Sequence, residues 1–204
     1  MHTQVIDWVG QFRTDEDLSV LDIGGRDLNG NTRFLFPNAN PYHVLDILPG
    51  KGVDIVADAA TWDFQGYGPY DLVLCTETFE HAEHWPDIIA TAHAILRPGG
   101  WFIFTCAGPG RPVHSGIEAV WGSIGDEWYA NVSPQEIEAV LKEQGWIDIE
   151  THLVGLDTQG KAVKPTRDDP ATMVPASAGA TGTAEPDRPG EVVVSARLSR
   201  TAGS

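Results

Sequence analysis

Leu18-Ser-Val-Leu-Asp-Ile-Gly-Gly25 is a short apolar run that ends in two glycines. A run of this length and composition, entering a tight turn, reads as a strand buried on both faces of a parallel sheet. Three further runs repeat the form and also end in acids: Tyr42-His-Val-Leu-Asp46, Val53-Asp-Ile-Val-Ala-Asp58 and Tyr70-Asp-Leu-Val-Leu-Cys-Thr-Glu77. Trp101-Phe-Ile-Phe-Thr-Cys106 is a fifth, bulky and apolar throughout.

Helical patterns lie around these runs. Val5–Phe12 has apolar residues at helical spacing. Residues 86–96 form an amphipathic stretch with Pro86 near its first turn, stopped by Arg97-Pro-Gly-Gly100. Ser133-Pro-Gln-Glu136 is a capping box that opens a helix through Gln144, with Gly145 as its stop. Residues 146–154 and 191–198 read as the sixth and seventh strands. Between them, 157–190 is rich in Ala, Gly, Pro, Thr and Asp, and the sequence predicts a flexible loop there. The whole, residues 1–204, reads as one domain of a length that buries a sizeable core. Strands alternating with helices give an α/β fold with a mostly parallel sheet and helices on both faces.

Charge excludes several function classes. The 13 Lys+Arg against 29 Asp+Glu leave a formal net charge of −16, all of it within residues 1–156. A chain so acidic, with no basic block, is expected to bind neither nucleic acid nor an anionic membrane surface. No run of 18 apolar residues and no secretory signal is visible, and two cysteines make no disulfide framework, so the expectation is a cytoplasmic protein. Cys75 and Cys106 read as small core residues.

In open parallel sheets, ligands bind beyond the carboxyl ends of the strands. There the sequence places Asp22-Ile-Gly24-Gly25, then Asp46, suited to a ribose diol, then Asp58, suited to an adenine amino group, then Glu77 with Glu80 and His81 one turn on. The Gly-x-Gly-x-x-Gly that a pyrophosphate needs is absent, which argues against a nicotinamide dinucleotide.

These residues carry a resemblance. Val20-Leu-Asp-Ile-Gly-Gly25, Val44-Leu-Asp46, Ala57-Asp58-Ala59, Tyr70–His81 and Leu96-Arg-Pro-Gly-Gly-Trp101 resemble the motifs of class I S-adenosylmethionine-dependent methyltransferases, in the branch with Glu-His after strand four. The match is good over residues 18–106 and looser beyond. It implies a Rossmann-like seven-stranded sheet with the last strand antiparallel. It implies S-adenosyl-L-methionine as cofactor, held by Asp22, Gly24, Gly25, Asp46 and its neighbour Ile47, Asp58 and its neighbour Ala59, and Glu77. It implies methyl transfer to O or N of a small-molecule acceptor by a monomer or homodimer. One departure stands out: the family's Asp-x-Gly-x-Gly-x-Gly has Arg26 and Leu28 where its later glycines fall. Arg26 or Asp27 is therefore expected near the methionine end of the cofactor.

Methyl transfer asks the protein to position an acceptor and take its proton. His114 and His81 are the candidate catalytic bases. The segment 107–132, with His114, Trp121, Trp128 and Tyr129, is the expected acceptor wall. No metal is assigned. Glu77, Glu80 and His81 nevertheless resemble a divalent-metal site of some O-methyltransferases, with His114 as a further ligand, which keeps a metal-assisted O-methyltransferase as an alternative. A non-catalytic cofactor-binding or regulatory module is the other.

Overall fold

The computed structural model describes residues 2–118, 122, 124–167 and 169. The strands are β1 (Val20–Ile23), β2 (Tyr42–Asp46), β3 (Ile55–Val56), β4 (Tyr70–Thr76), β5 (Leu96–Ala107), β6 (Ile147–Val154) and β7 (Asp157–Val163). The helices are α1 (Thr3–Val9), α2 (Trp85–Ile95) and α3 (Pro134–Glu143). All seven strands form one sheet in the order β3-β2-β1-β4-β5-β7-β6. β1 to β5 pair in parallel, and β7 runs antiparallel to both β5 and β6. This is the Rossmann-like arrangement the resemblance implies.

The apolar runs are continuous because alternate residues serve opposite faces. Val20, Val44, Leu72, Leu74 and Ile103 point to one side, where Val5, Trp8 and Val9 of α1 cover them. Leu21, Ile23, Leu45, Val73, Phe102 and Phe104 point to the other, against Ile88, Ile89 and Ala92 of α2 and Ile137 and Leu141 of α3. The capping box is present: the Ser133 hydroxyl accepts from the Glu136 N–H, and the Glu136 carboxylate accepts from the Ser133 N–H at 2.8 Å. The connections from β1 to β4 contain no α-helix, only a 3-10 turn at Arg33–Leu35 and other turns.

One expectation is corrected. Residues 157–163 are not loop but β7, and the β6–β7 connection is only Gly155 and Leu156. Asp-Thr-Gln-Gly-Lys-Ala-Val lacks the apolar content of a buried strand, yet it lies in the sheet interior with most of its residues buried. Its polar side chains are satisfied there: Thr158 Oγ1 donates to the Val132 carbonyl at 2.7 Å, and Gln159 Nε2 donates to the Gln4 carbonyl at 3.3 Å. Gly160 is required because a Cβ would overlap the Phe104 ring and come within 2.6 Å of the Glu150 carbonyl oxygen. The expected strand at 191–198, and the remainder of the expected loop from 170 to 190, lie outside the described residues. Among the described residues no helix is long and apolar enough to cross a membrane.

Candidate active site

Parallel pairing brings the carboxyl ends of β1 to β5 to one edge, and a cavity of about 670 Å³ opens there. Asp22, Gly24, Gly25, Asp46, Ile47, Asp58, Ala59, Glu77, His81 and His114 all line it. The sequence-predicted residues are thus brought together, although the side chains differ in what they are free to do.

The turn after β1 needs both its glycines. Gly24 has φ +73°, and a Cβ there would overlap the Thr78 side chain. At Gly25 a Cβ would lie 2.6 Å from Asp22 Cγ. Asp22 itself is buried beneath this turn. Its Oδ2 accepts from the Tyr42 hydroxyl at 2.8 Å, and Oδ1 has no partner. Burial pushes its carboxyl up to about 7, against the pull of the Tyr42 bond.

Asp46 ends β2, and its Oδ1 accepts from the Leu48 N–H at 2.9 Å. Ile47 is exposed at the cavity mouth. Asp58 is exposed too, and its Oδ1 accepts from the Ala60 N–H at 2.9 Å. In the altered glycine loop the Arg26 side chain turns to Asp46, and Asp27 pairs with Lys51 at 2.6 Å.

Glu77, just past β4, has φ +56° and a saturated carboxylate. Oε1 accepts from Thr105 Oγ1 at 3.0 Å, and Oε2 meets His2 Nε2 at 2.9 Å and Arg111 Nη1 at 2.5 Å. Arg111 Nη1 also donates to Asp157 at 2.8 Å. Burial opposes ionisation of Glu77, but the His2 bond and the Arg111 charge outweigh it and bring the carboxyl down to about 2. The same His2–Glu77 bond raises the His2 imidazole.

Glu80 differs completely. It is fully buried on the turn Phe79–His81, and its carboxylate has no side-chain hydrogen-bond partner, only weak pulls from the backbone at Glu80 and Ala107. Burial, with the Glu77 charge, raises it well above the usual carboxylate range. It faces His114 Nε2 at 3.8 Å. His81 Nδ1 is likewise buried without a partner, and burial brings this imidazole down to about 4. Burial lowers His114 as well. The two histidine rings meet edge-on with centroids 4.9 Å apart, and Tyr129 packs against both. One ligand atom from each of Glu80, His81 and His114 lies within 4.8 Å of the others. The metal-type set is therefore Glu80, His81 and His114, and Glu77 is corrected out of it: its oxygens are taken up by Arg111, His2 and Thr105.

Arg26, which the altered glycine motif marked, lines the cavity, and so do His2, Arg111 and Glu127, which carried no sequence signal. Glu127 shapes the acceptor wall by accepting from Ser115 Oγ at 2.5 Å and the Gly116 N–H at 2.9 Å. Trp128 lines the cavity, whereas Trp121 lies outside the described residues.

The chain matches a family model described as a methyltransferase domain over residues 1–151. A ubiquinone biosynthesis O-methyltransferase of Burkholderia multivorans is 37% identical over 68 residues, 33% of this chain and 27% of the relative. The chain's match thus spans about a quarter of that curated relative's length. Among solved structures, phosphoethanolamine N-methyltransferase 2 of Haemonchus contortus, bound to phosphomonomethylethanolamine and S-adenosylhomocysteine, superposes with a TM-score of 0.59 at 16% identity, over 80% of this chain and 52% of that one. The 1,6-didemethyltoxoflavin-N1-methyltransferase of Burkholderia thailandensis, bound to its namesake compound and S-adenosylhomocysteine, gives 0.53 at 17% identity, over 74% of this chain and 72% of that one. At such identities the structural likeness concerns the fold.

Proposed function

The chain belongs to the methyltransferase-domain family, and on that premise we propose that it transfers a methyl group from S-adenosylmethionine to an oxygen or nitrogen of a small molecule. The observation that carries the reading is the convergence of Asp22, Asp46, Asp58 and the Gly24-Gly25 turn on one cavity beyond the strand ends. Asp46 takes the ribose diol, Asp58 the adenine amino group, and Ile47 and Ala59 the faces of the base. Asp22, buried with one oxygen unpartnered, lies under the glycine turn that the methionyl portion crosses. The relatives' names support a small-molecule acceptor, and they include O-, N- and carbon methyltransferases.

When bound, the cofactor supplies an electrophilic methyl on a sulfonium sulfur. This chain's own residues orient the acceptor and remove its proton. His114 Nδ1 lies 3.3 Å from the Pro112 carbonyl oxygen. The Tyr129 hydroxyl, which donates to the same carbonyl at 3.3 Å, lies 3.2 Å from Nδ1, and an Nδ1–H donating to either oxygen leaves the basic lone pair on Nε2. Burial lowers both imidazoles from the ordinary range, so both are neutral at pH 7; His81, brought down to about 4, is too weak a base to hold a proton there, which leaves His114 as the proton acceptor. Trp128 walls the acceptor side, and Tyr129 packs against His81 and His114. Glu77 serves by holding Arg111 and His2 in place.

Titration calorimetry with S-adenosylhomocysteine tests the reading. Micromolar binding is expected, and no heat at millimolar ligand would sink it. Binding with no turnover on a panel of hydroxylated and amino acceptors would favour the non-catalytic module.

The buried Glu80 carboxylate, with no side-chain hydrogen bond and beside His81 and His114, favours one second reading, a divalent cation held by these three that orients the acceptor oxygen. Activity that survives exhaustive chelation disposes of it.

A further inference from the structure

We propose that Arg26 is a second reader of the cofactor ribose, and that it ties this reading to the loop behind the proposed base. The proposal rests on the S-adenosylmethionine reading above.

Arg26 stands where the family's loop carries a glycine, and its side chain is held from several sides. Its Cγ and Cδ fill the space beside Gly50, where a Cβ would lie 2.6 Å from Cδ. Its Nη2 donates to the carbonyl oxygens of Gly116 at 3.2 Å and Ile117 at 3.3 Å. Its backbone N–H donates to Asp46 Oδ2 at 3.3 Å. The guanidinium is thereby fixed with Nε 3.7 Å from Asp46 Oδ1, just beyond hydrogen-bond range. That Nε–H is buried and has no hydrogen-bond partner.

An unpartnered, buried N–H on a charged group is costly unless a ligand completes it. A ribose hydroxyl that donates its proton to Asp46 has oxygen lone pairs to spare. The donor beside it is Arg26 Nε. One hydroxyl then satisfies the acid and the guanidinium together, which neither an acid alone nor a glycine at position 26 achieves.

The other end of the guanidinium reaches the half of the cavity assigned to the acceptor. Gly116 lies against the His81 ring, where a Cβ would come within 2.8 Å of Cγ. It follows His114 by two residues and is anchored by Glu127. A ribose hydroxyl on Nε adds a further tie to the guanidinium, and through its bonds to the Gly116 and Ile117 carbonyls to residues 116 and 117. Cofactor therefore firms the acceptor wall before the acceptor arrives, and binding is ordered.

The test measures affinity for S-adenosylhomocysteine and its 2′-deoxy and 3′-deoxy analogues by calorimetry. It uses the wild type, Arg26→Ala and Arg26→Lys, each checked for folding by thermal melting. Arg26→Ala is expected to bind the parent ligand about tenfold more weakly, the usual scale of a charge-assisted hydrogen bond. Removing one hydroxyl should then cost the variant about tenfold less than it costs the wild type. Amide exchange at 114–118 should slow on ligand binding in the wild type and not in Arg26→Ala. Should the alanine protein fail to fold, Arg26→Lys carries the same comparison, since lysine keeps the charge but has no Nε–H fork. Equal penalties for every ligand in wild type and variant, or full affinity with lysine, overturn the proposal. Failure of the wild type to bind S-adenosylhomocysteine at all is a different result, and it removes the cofactor reading itself.

Discussion

Arg111 Nη1 meets Glu77 Oε2 at 2.5 Å on the wall of the cavity, and the same nitrogen reaches Asp157 Oδ1 at 2.8 Å. One cation thus joins the end of β4 to the start of β7, across 46 residues of chain from Arg111 to Asp157. Removing one partner of such a buried set leaves uncompensated charge, at a cost of about 3–5 kcal/mol. Arg111→Met is expected to lower stability on that scale in urea unfolding, and a loss below about 1 kcal/mol would contradict the network's role.

The same pair sets an acid limit. Glu77 titrates at about 2 in the fold, against 4.5 for an ordinary glutamate. A folded value below the unfolded one means stability that is fully present above pH 4.5 and lost as pH falls toward 2. The expected contribution is about 3 kcal/mol. Urea titrations between pH 5 and 2.5 should show a shallower decline for Glu77→Gln than for the wild type, and parallel curves would refute the assignment.

Asp46 and Asp58 are both placed on the cofactor side, but only Asp46 is buried. Asp46→Asn should weaken S-adenosylhomocysteine binding about tenfold or more, and Asp58→Ala by less, because water screens an exposed contact. Calorimetry that ranks the two the other way would require a different pose for the nucleoside.

His114→Ala should lower kcat about a hundredfold or more on whichever acceptor the wild type methylates, while affinity for S-adenosylhomocysteine changes less than about threefold. Equal loss of both would assign His114 to the cofactor site instead.

Ser133→Ala removes one half of the capping box of α3 and should cost about 1 kcal/mol in thermal or urea unfolding. Ligand affinity should not move, since α3 packs beneath the sheet, away from the cavity.

The parallel half of the fold was legible because its strands are apolar on both faces and end in acids, as Leu18–Gly25 and Tyr70–Glu77 show. β7 was not, because Asp157–Val163 is buried through hydrogen bonds and a glycine rather than through apolar side chains, and no periodicity reports that. The cavity lining was legible where a motif marks a strand end. His2 and Arg111 were not, since each acts through partners more than 30 residues distant, as in His2–Glu77 and Arg111–Glu77, and for Arg26 the motif marked the position but not its partner Asp46. The sequence also placed Glu77 beside Glu80 as a matched pair. Their opposite environments come from His2 and Arg111, which hydrogen-bond to the Glu77 carboxylate and not to that of Glu80.

β7 is the last strand in the described chain, yet it is an interior strand of the sheet. A chain cut at Val154 would therefore lose a middle slat and not an edge. β5, with Phe102 and Phe104 wholly buried in the native sheet, would become an open, unpaired margin, and β6 would have no neighbour to pair with. Such a margin recruits foreign strands. Shortened forms of this protein ending before Val163 are thus expected to aggregate rather than persist as smaller folded units, and size-exclusion profiles of a nested truncation series would mark the boundary.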